Sequence, residues 1–277
     1  RATASHTGSL GGSDLAAEAV FNQTGVLRAN SIEELFDFTM AFSLQPLPQG
    51  NRVAVVSDAG GPAIMAVDEI SARGLTLAEF TQETKASVKA WAPPDASVAN
   101  PIDLTPEGSL EDYRRALEAV LADPNVDAAI AVYVPPVRTD EVEWAKVVWT
   151  TAQRFHKPVL CNFLGRTSES PGFMELVNHS VPSYLYPENA ARALAAMHRY
   201  AEYLRRDEGA VQSFDVGRAQ AGAILDEALS KGRTRLSEIE AVEFLDAYGI
   251  RTAKARLARD LDDAARKARE LGYPVVL

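Results

Sequence analysis

The chain has 277 residues, of which 47% are hydrophobic and 24% charged, and its formal net charge is −10, a composition typical of a folded globular protein. No basic run occurs, which argues against a nucleic-acid-binding surface, and the single cysteine, Cys161, excludes an intramolecular disulfide and any site with several cysteine ligands. No apolar run reaches the ~20 residues of a membrane span and no signal peptide is visible, so we expect a cytoplasmic protein that binds neither nucleic acid nor membrane.

The first 48 residues contain a glycine-rich loop and two predicted helices. Ser13 and Asp14 supply an N-cap for the first helix, and Ser31-Ile32-Glu33-Glu34 is a capping box for the second. The predicted elements are a helix over 13–24, a short strand over 26–29 and a helix over 31–44. We expect residues 1–48 to be the C-terminal part of a domain whose core needs residues upstream of them.

Strands and helices alternate regularly between residues 49 and 206. The predicted strands are 53–57, 75–80, 128–134, 158–164 and 183–186. The predicted helices are 62–73, 82–91, 109–122, 139–155, 169–179 and 187–206. Such alternation indicates βαβ units around a parallel sheet, and five strands fit a flavodoxin-like, doubly wound α/β domain over 49–206. Ligands of such domains bind outside the carboxyl ends of the strands.

The composition and the hydrophobic pattern of the sequence change after residue 206. Residues 207–235 are charged and lack strand patterns, which predicts a linker with a helix near 220–229. The elements predicted beyond it are a helix that opens on the capping box Ser237-Glu238-Ile239-Glu240, a strand over 252–257, a helix over 260–271 and a strand over 273–277. This pattern is typical of the start of a further α/β domain, over 236–277, and we expect the chain to be a segment of a longer polypeptide.

The loop before the first helix places one histidine, His6, among hydroxyls and glycines. Backbone N–H groups in such a loop can approach a bound anion closely, and Gly8 and Ser9 are the candidates for that contact. Imidazole is a competent nucleophile near neutral pH, so His6 is a candidate carrier of a phosphoryl group. The alternative from spacing alone is a solvent-facing histidine in a glycine-rich loop.

Five further residues are candidates in the predicted parallel domain. Gly60 and Gly61 follow the first strand, and they form either a phosphate-binding cradle at a helix N-terminus or a tight turn that needs small residues. Asn100 and Asp103 are either loop caps or groups on the substrate side. Gly165 ends the fourth strand and is a candidate for the same crevice. We expect no metal site in this chain.

Several stretches, taken in order, resemble the NDP-forming acyl-CoA synthetases, relatives of succinyl-CoA synthetase. The phosphohistidine loop of that family resembles Ser5-His6-Thr7-Gly8-Ser9-Leu10-Gly11-Gly12-Ser13-Asp14. The family's next domain resembles Val55-Val56-Ser57-Asp58-Ala59-Gly60-Gly61-Pro62 and Asn100-Pro101-Ile102-Asp103-Leu104. The opening of its ATP-grasp domain resembles Leu236-Ser237-Glu238-Ile239-Glu240-Ala241, Tyr248-Gly249-Ile250 and Gly272-Tyr273-Pro274-Val275-Val276-Leu277. The resemblance therefore implies a partial phosphohistidine domain, a complete flavodoxin-like domain and the first part of an ATP-grasp domain.

The resemblance also implies a reaction: a carboxylic acid, CoA and ATP give acyl-CoA, ADP and phosphate, or the reverse. His6 would be the phosphorylated nucleophile, and the helix end at Gly60-Gly61-Pro62 would face its phosphate. ATP, CoA and Mg²⁺ are implied for the full-length protein, together with a homo-oligomer or further domains of the same polypeptide. The identity of the carboxylic acid stays open, and so does the choice between ADP and GDP as the nucleotide product.

Two other function classes compete with a ligase. One is a non-catalytic, metabolite-sensing module that regulates a fused acetyltransferase; the presence of His6 argues against it. The other is a flavodoxin-like domain used for subunit contact alone. Parts of the family's machinery, including the CoA-binding Rossmann domain, do not occur in these residues, so we expect the segment alone not to turn over.

Overall fold

The computed structural model describes residues 14–135, 140–165, 170–207 and 209–276. The chain divides into two compact units, Arg1–Asp207 and Glu208–Leu277. The helices described in the first unit are α1 (Asp14–Thr24), α2 (Ile32–Leu44), α3 (Gly60–Ala72), α4 (Gln82–Lys89), α5 (Leu110–Ala122), α6 (Glu141–Ala152), α7 (Pro171–Asn178) and α8 (Pro187–Arg205). Its strands are β1 (Arg52–Ser57), β2 (Thr76–Leu77), β3 (Ile102–Asp103), β4 (Ala128–Tyr133), β5 (Val159–Phe163) and β6 (Ser183–Tyr184).

All six strands belong to one parallel sheet. The order along the sheet is β2-β1-β4-β5-β6, and β3 also pairs with β1. With β3 set aside, this is the 2-1-3-4-5 order of flavodoxin-like folds, so the predicted fold class is confirmed. Every residue of β4 is buried, as is every residue of β1 after Arg52, which explains why both strands are continuous apolar runs.

The edge of β1 is shared by two short strands, and this detail differs from the predicted five-stranded sheet. The first half of β1 pairs with β2, whereas Val56 and Ser57 pair with Ile102 and Asp103 of β3. The predicted strand over 75–80 therefore shrinks to two residues. Two short strands, β2 and β3, therefore occupy the place beside β1 that a single strand occupies in a simpler sheet.

Side chains of alternate strand residues point to opposite faces of the sheet and bury two separate cores. Val53 and Val55 face α2, α3 and α8, whereas Ala54 and Val56 face α4, α5, α6 and α7. Ile130 of β4 and Leu117 of α5 are fully buried, one in each core. Burial of each such side chain contributes about 1.5–3 kcal/mol to the free energy of unfolding.

The first described helices differ from the prediction in one element. Residues 26–29 form no strand, because no described strand lies beside them to supply a ladder; Val26 N–H instead bonds the Phe21 carbonyl as the turn after α1. Ser31 caps α2 as predicted, with its side chain accepting from the Glu34 N–H at 3.0 Å. The Glu34 carboxylate, however, accepts from the Asn30 N–H, one residue further back than in a capping box.

The second unit contains three described helices: α9 (Arg218–Ser230), α10 (Glu238–Ala247) and α11 (Leu261–Leu271). Both halves of the predicted capping box are present at Ser237 and Glu240. The strands predicted over 252–257 and 273–277 are not formed by the described residues of these stretches, since a strand needs a hydrogen-bonded partner and none lies beside them. In the part of the chain that the structure describes, every helix is too short or too polar to cross a membrane.

Candidate functional site

The carboxyl ends of β1 and β4 are adjacent, and the chain leaves them for opposite faces of the sheet. β1 leads into α3, which packs on one face, and β4 precedes α6, which packs on the other. Such a divergence opens a crevice where ligands of doubly wound sheets bind. We call the residues at this place, 57–61 and 133–135, the switch-point crevice.

The N-terminus of α3 lies in the switch-point crevice and has no side-chain cap. The helix begins at Gly60, two residues before the predicted start at Pro62, and its N-cap residue Ala59 makes no capping hydrogen bond through its side chain. Pro62 has no N–H, so Gly60 and Gly61 carry the first backbone donors of the helix. Uncapped donors at a helix N-terminus, together with the helix dipole, favour an anion.

The Asp103 side chain approaches Gly60 closely, whereas the space beside Gly61 is open. A Cβ added to Gly60 would lie 2.8 Å from Oδ2 of Asp103, while one added to Gly61 would meet nothing within 4 Å. Asp103 is brought there by β3 and is held by the Thr105 N–H, which donates to its Oδ1 at 3.0 Å. The structure thus brings together three of the predicted site residues: Gly60, Gly61 and Asp103.

Asp58 is a further member of the crevice that the motif analysis did not single out. Its Oδ1 accepts a hydrogen bond from the Val134 N–H at 2.9 Å, and only 8% of the residue is exposed. Burial raises the pKa of Asp58 to about 6, and the negative charge of Asp103 acts in the same direction. A carboxyl that titrates near neutral pH at a strand end is typical of functional sites.

Asn100 lies behind the crevice, where β2 and β3 meet. Its side-chain Oδ1 accepts from the Val55 N–H at 3.0 Å, and its Nδ2 donates to the carbonyls of Val53 and Ala78 at 2.8 and 3.0 Å. The amide therefore replaces the ladder bonds that a continuous strand would make to β1. This arrangement supports the structural alternative for Asn100, in which it holds the edge that carries Asp103.

Gly165 is the remaining predicted site residue that the structure describes. Gly165 follows β5 with a φ of +76°, a conformation that favours glycine, and the preceding Leu164 N–H bonds the Tyr133 carbonyl at 3.0 Å. His6, Gly8 and Ser9 lie outside the described residues. Among the residues that are described, no group of three or more His, Cys, Asp or Glu side chains is placed to hold a metal ion.

Sequence reasoning missed Asp58, although its signal was present. It directly follows a buried strand and precedes two glycines, which is where doubly wound folds place ligand contacts. What could not be read from the sequence was its burial and its bond to Val134, because Val134 lies 76 positions further along the chain.

Comparison with protein families matches three segments of the chain. Residues 53–206 match the Ligase-CoA domain, 227–277 an ATP-grasp domain and 1–42 a succinyl-CoA ligase like flavodoxin domain. The order of the three agrees with the order that the motifs predict.

The chain belongs to the NDP-forming acyl-CoA synthetase family.

Curated and solved members of the NDP-forming acyl-CoA synthetases are similar over most of the chain. The 4-hydroxybutyrate–CoA ligase [ADP-forming] of Nitrosopumilus maritimus is 34% identical, and the alignment covers 100% of this chain and 40% of that protein. The acetate–CoA ligase [ADP-forming] II subunit alpha of Pyrococcus furiosus is 42% identical, over 73% of this chain and 45% of that one.

A solved structure agrees with the fold. It is the dinucleotide forming acetyl-coenzyme A synthetase 1 of Ca. Korarchaeum cryptofilum in complex with phosphate and ADP, with a TM-score of 0.69 and 32% identity, over 76% of this chain and 47% of that chain. The present chain thus spans less than half the length of each of these relatives.

Proposed function

We propose that the full-length protein is an acid–thiol ligase that makes acyl-CoA, ADP and phosphate from a carboxylic acid, CoA and ATP. The similarity of the whole chain to an ADP-forming acyl-CoA ligase, at 34% identity, is the observation that carries the proposal. The uncapped start of α3 supports it, because this kind of helix end stabilises the phosphoryl groups that such a reaction moves. The regulatory alternative, with a fused acetyltransferase, has no support among the relatives named above.

The proposed reaction proceeds in three transfers. The imidazole of His6 attacks the γ-phosphorus of ATP, and the bond to the ADP oxygen breaks. The substrate carboxylate then takes the phosphoryl group from phosphohistidine, which gives an acyl phosphate and returns the histidine. Finally the CoA thiolate attacks the acyl carbon and phosphate leaves. Each step exchanges one bond for one bond, so the sum is acid, CoA and ATP to acyl-CoA, ADP and phosphate.

Within this proposal, Gly60 and Gly61 bind the phosphoryl group during its transfer, with Gly8 and Ser9 on the side of the histidine loop. Backbone N–H groups and the dipole of α3 supply positive potential without a basic side chain. Asp103 and Gly165 remain candidates on the substrate side. Mg²⁺ is expected to accompany ATP, but the described residues do not form a metal site, and no step above passes through the metal.

The remaining expectations concern the cellular setting. The protein is proposed to work in the cytoplasm, where CoA and ATP are available, as a homo-oligomer or together with further domains of its own polypeptide. The substrate is a small-molecule carboxylic acid.

Transfer of a labelled phosphoryl group tests the proposal. The full-length protein is incubated with ATP labelled at the γ-phosphate, and label that is labile in acid and stable in base is measured. We expect such label on the parent protein and none on His6→Ala. His156→Ala is the matched control, since His156 is an exposed histidine after α6. Absence of label on the parent, with nucleotide binding intact, would refute the phosphohistidine, and label surviving His6→Ala would place it on another residue.

A further inference from the structure

Two carboxyl side chains lie at the start of α3, although a helix N-terminus attracts negative charge. Asp58 stands in the turn between β1 and α3, two residues before Gly60, which keeps the two Cα atoms within about 7 Å of each other. Asp103 reaches the same place from β3, and its Oδ2 lies 2.8 Å from the position of a Cβ added to Gly60. Carboxyl groups from two separate elements therefore flank one helix end.

The proposed function brings a third acidic group to this helix end. A phosphoryl group carries close to two negative charges at neutral pH, and the proposal binds it at the N–H groups of Gly60 and Gly61. At such short separations salt screens the charges little, least of all where they are partly buried. A negative charge favours the neutral form of a neighbouring carboxyl. Ionised carboxylates would therefore repel the phosphoryl group, and a protonated one would not.

Asp58 is the carboxyl placed to lose its charge. Only 8% of the residue is exposed, whereas Asp103 is half-buried. Its Oδ1 accepts the hydrogen bond from the Val134 N–H, which leaves Oδ2 as the oxygen for a proton. Burial raises the pKa of Asp58 to about 6, and the charge of Asp103 acts in the same direction. A modest additional repulsion is then enough to protonate it near neutral pH.

A small cavity gives this carboxyl access to protons. The cavity has a volume of about 90 Å³ and adjoins Asp58, which is room enough for water. Pro106 and Ser109 belong to its lining and are exposed, so the space communicates with solvent. A proton can therefore reach Asp58 and leave it without passing through the site of the phosphoryl group.

The other titratable groups around Asp58 do not replace it as the proton acceptor. In the described part of the chain they are Asp103 of β3, Tyr113 of α5 and Tyr133 of β4. Tyr113 is buried, and burial holds its pKa well above the ordinary value, so it stays uncharged. Its hydroxyl donates within the sheet, to the Val56 and Val132 carbonyls at 2.9 and 3.0 Å.

We propose that Asp58 takes up one proton from solvent when the start of α3 receives the phosphoryl group, and returns it to solvent when the group leaves. The protonated carboxyl lets the helix end hold the group, and its ionisation weakens that hold. No bond forms between Asp58 and phosphorus, and the proton is balanced by solvent alone. This inference rests on the proposed function, because it names the residue that regulates the phosphoryl group at the same helix end.

The sign of the pH dependence follows from the charges. Below about pH 6 the Asp58 carboxyl is already neutral, so binding of the phosphoryl group meets no penalty from it. Above that range Asp58 is ionised, and the group binds only at the cost of repulsion or of proton uptake. Phosphohistidine is therefore less favoured at high pH in the parent protein than in a variant whose residue 58 is neutral.

The labelled fraction of the full-length protein tests this inference. The protein is equilibrated with γ-labelled ATP and ADP at a fixed ratio, at about pH 5.5 and at about pH 8, and the ratio of labelled to unlabelled protein is measured after quenching in base. Asp58→Asn is neutral and keeps an acceptor for Val134. We expect its ratio to exceed that of the parent about tenfold at pH 8 and to agree within about twofold at pH 5.5.

Comparison of the variant with the parent at each pH cancels the titration of ATP and of His6, which both proteins share. Asp68→Asn is the matched control, because Asp68 is an exposed carboxylate on the same helix, about 12 Å further along its axis than Gly60. We expect its ratio to stay within about twofold of the parent at both pH values, since exposed charges beyond a Debye length are screened.

The outcomes separate this inference from the function on which it rests. Equal labelling of parent and Asp58→Asn at pH 8, or a difference that is the same at both pH values, would overturn the proton uptake while leaving the phosphohistidine. Absence of label on the parent at every pH would overturn both proposals. Should Asp58→Asn fail to fold by circular dichroism, Asp58→Ser takes its place, because it is also neutral and offers an oxygen acceptor, and the same outcomes decide.

Discussion

Oδ1 of Asp58 lies 2.9 Å from the backbone nitrogen of Val134 and accepts its hydrogen bond. This contact joins the ends of β1 and β4 at the point where the chain leaves them for opposite faces of the sheet. The carboxyl is thereby fixed next to the start of α3, in a place where water reaches little of it. Its electrostatic cost follows from that position, because burial disfavours the charged form.

The first prediction concerns how stability depends on pH. Burial raises the pKa of Asp58 from 3.8 to about 6, so the folded protein holds this proton more tightly than the unfolded chain. Stability therefore falls as pH rises from about 4 to about 6, and the penalty is complete above that range. Asp58→Asn removes the charge and keeps an acceptor for Val134. We expect it to raise the free energy of unfolding by about 1–3 kcal/mol at pH 8 and to have little effect at pH 4.

Urea unfolding followed by tryptophan fluorescence measures this difference, because Trp91, Trp144 and Trp149 all lie in the first compact unit. Burial also raises the pKa of Asp37 to about 6, so parent and variant must be compared at the same pH. A variant that is less stable than the parent at pH 8 would mean that the carboxylate gains more from its bonds than it loses by burial.

The second prediction tests the close approach at the start of α3. Gly60→Ala would press a Cβ against the Asp103 carboxylate, whereas Gly61→Ala has open space and gains helix propensity. We expect the Gly60 variant to be less stable than the Gly61 variant by about 1–2 kcal/mol. In an Asp103→Ala background the gap should vanish, since the clash is gone. A double-mutant cycle by urea unfolding gives the coupling, and a gap that persists without Asp103 would contradict the contact.

The third prediction concerns the amide that completes the edge of β1. Asn100→Ala leaves the Val55 N–H and the Ala78 carbonyl without their side-chain partner, whereas the Val53 carbonyl keeps the bond from the Ala78 N–H. Each buried group left without a partner costs about 1–3 kcal/mol. We expect a loss of about 2–4 kcal/mol in the free energy of unfolding. Asn22→Ala, an exposed position on α1, should stay within about 0.5 kcal/mol. A loss in the free energy of unfolding no larger than that of the control would show that the Asn100 amide does not stabilise the edge of β1.

How far the sequence predicts this fold depends on whether the signal is local. The buried runs of β1 and β4 and the caps at Ser31 and Ser237 are local patterns, and the elements there form as predicted. β3 was not predicted, because two residues carry no periodicity and their pairing depends on Asn100 reaching across the edge. Residues 252–257 have a strand-like pattern, yet no described partner strand lies beside them.

The site divides in the same way. Gly60 and Gly61 could be named as candidates from the sequence, because a glycine pair after a buried strand is itself the signal. The position of Asp58 arises from its burial and from its hydrogen bond to Val134, and these are tertiary properties.

The fourth prediction tests whether the start of α3 receives the transferred phosphoryl group. The space beside Gly61 is open, so an aspartate there fits and adds a negative charge next to the first N–H groups of the helix. Gly61→Asp should therefore leave the helix intact, because aspartate is favourable in a first turn, and should repel a phosphoryl group. We expect labelling of His6 from γ-labelled ATP to fall at least about tenfold, which corresponds to about 1.4 kcal/mol.

Gly61→Asn is the control for this experiment, since it has the same shape without the charge and should keep most of the labelling. Circular dichroism of both variants checks that α3 survives. Equal losses in the two variants would assign the effect to bulk rather than charge. Undiminished labelling of Gly61→Asp would remove the α3 N-terminus from the path of the phosphoryl group and leave the residues around His6 to stabilise it alone.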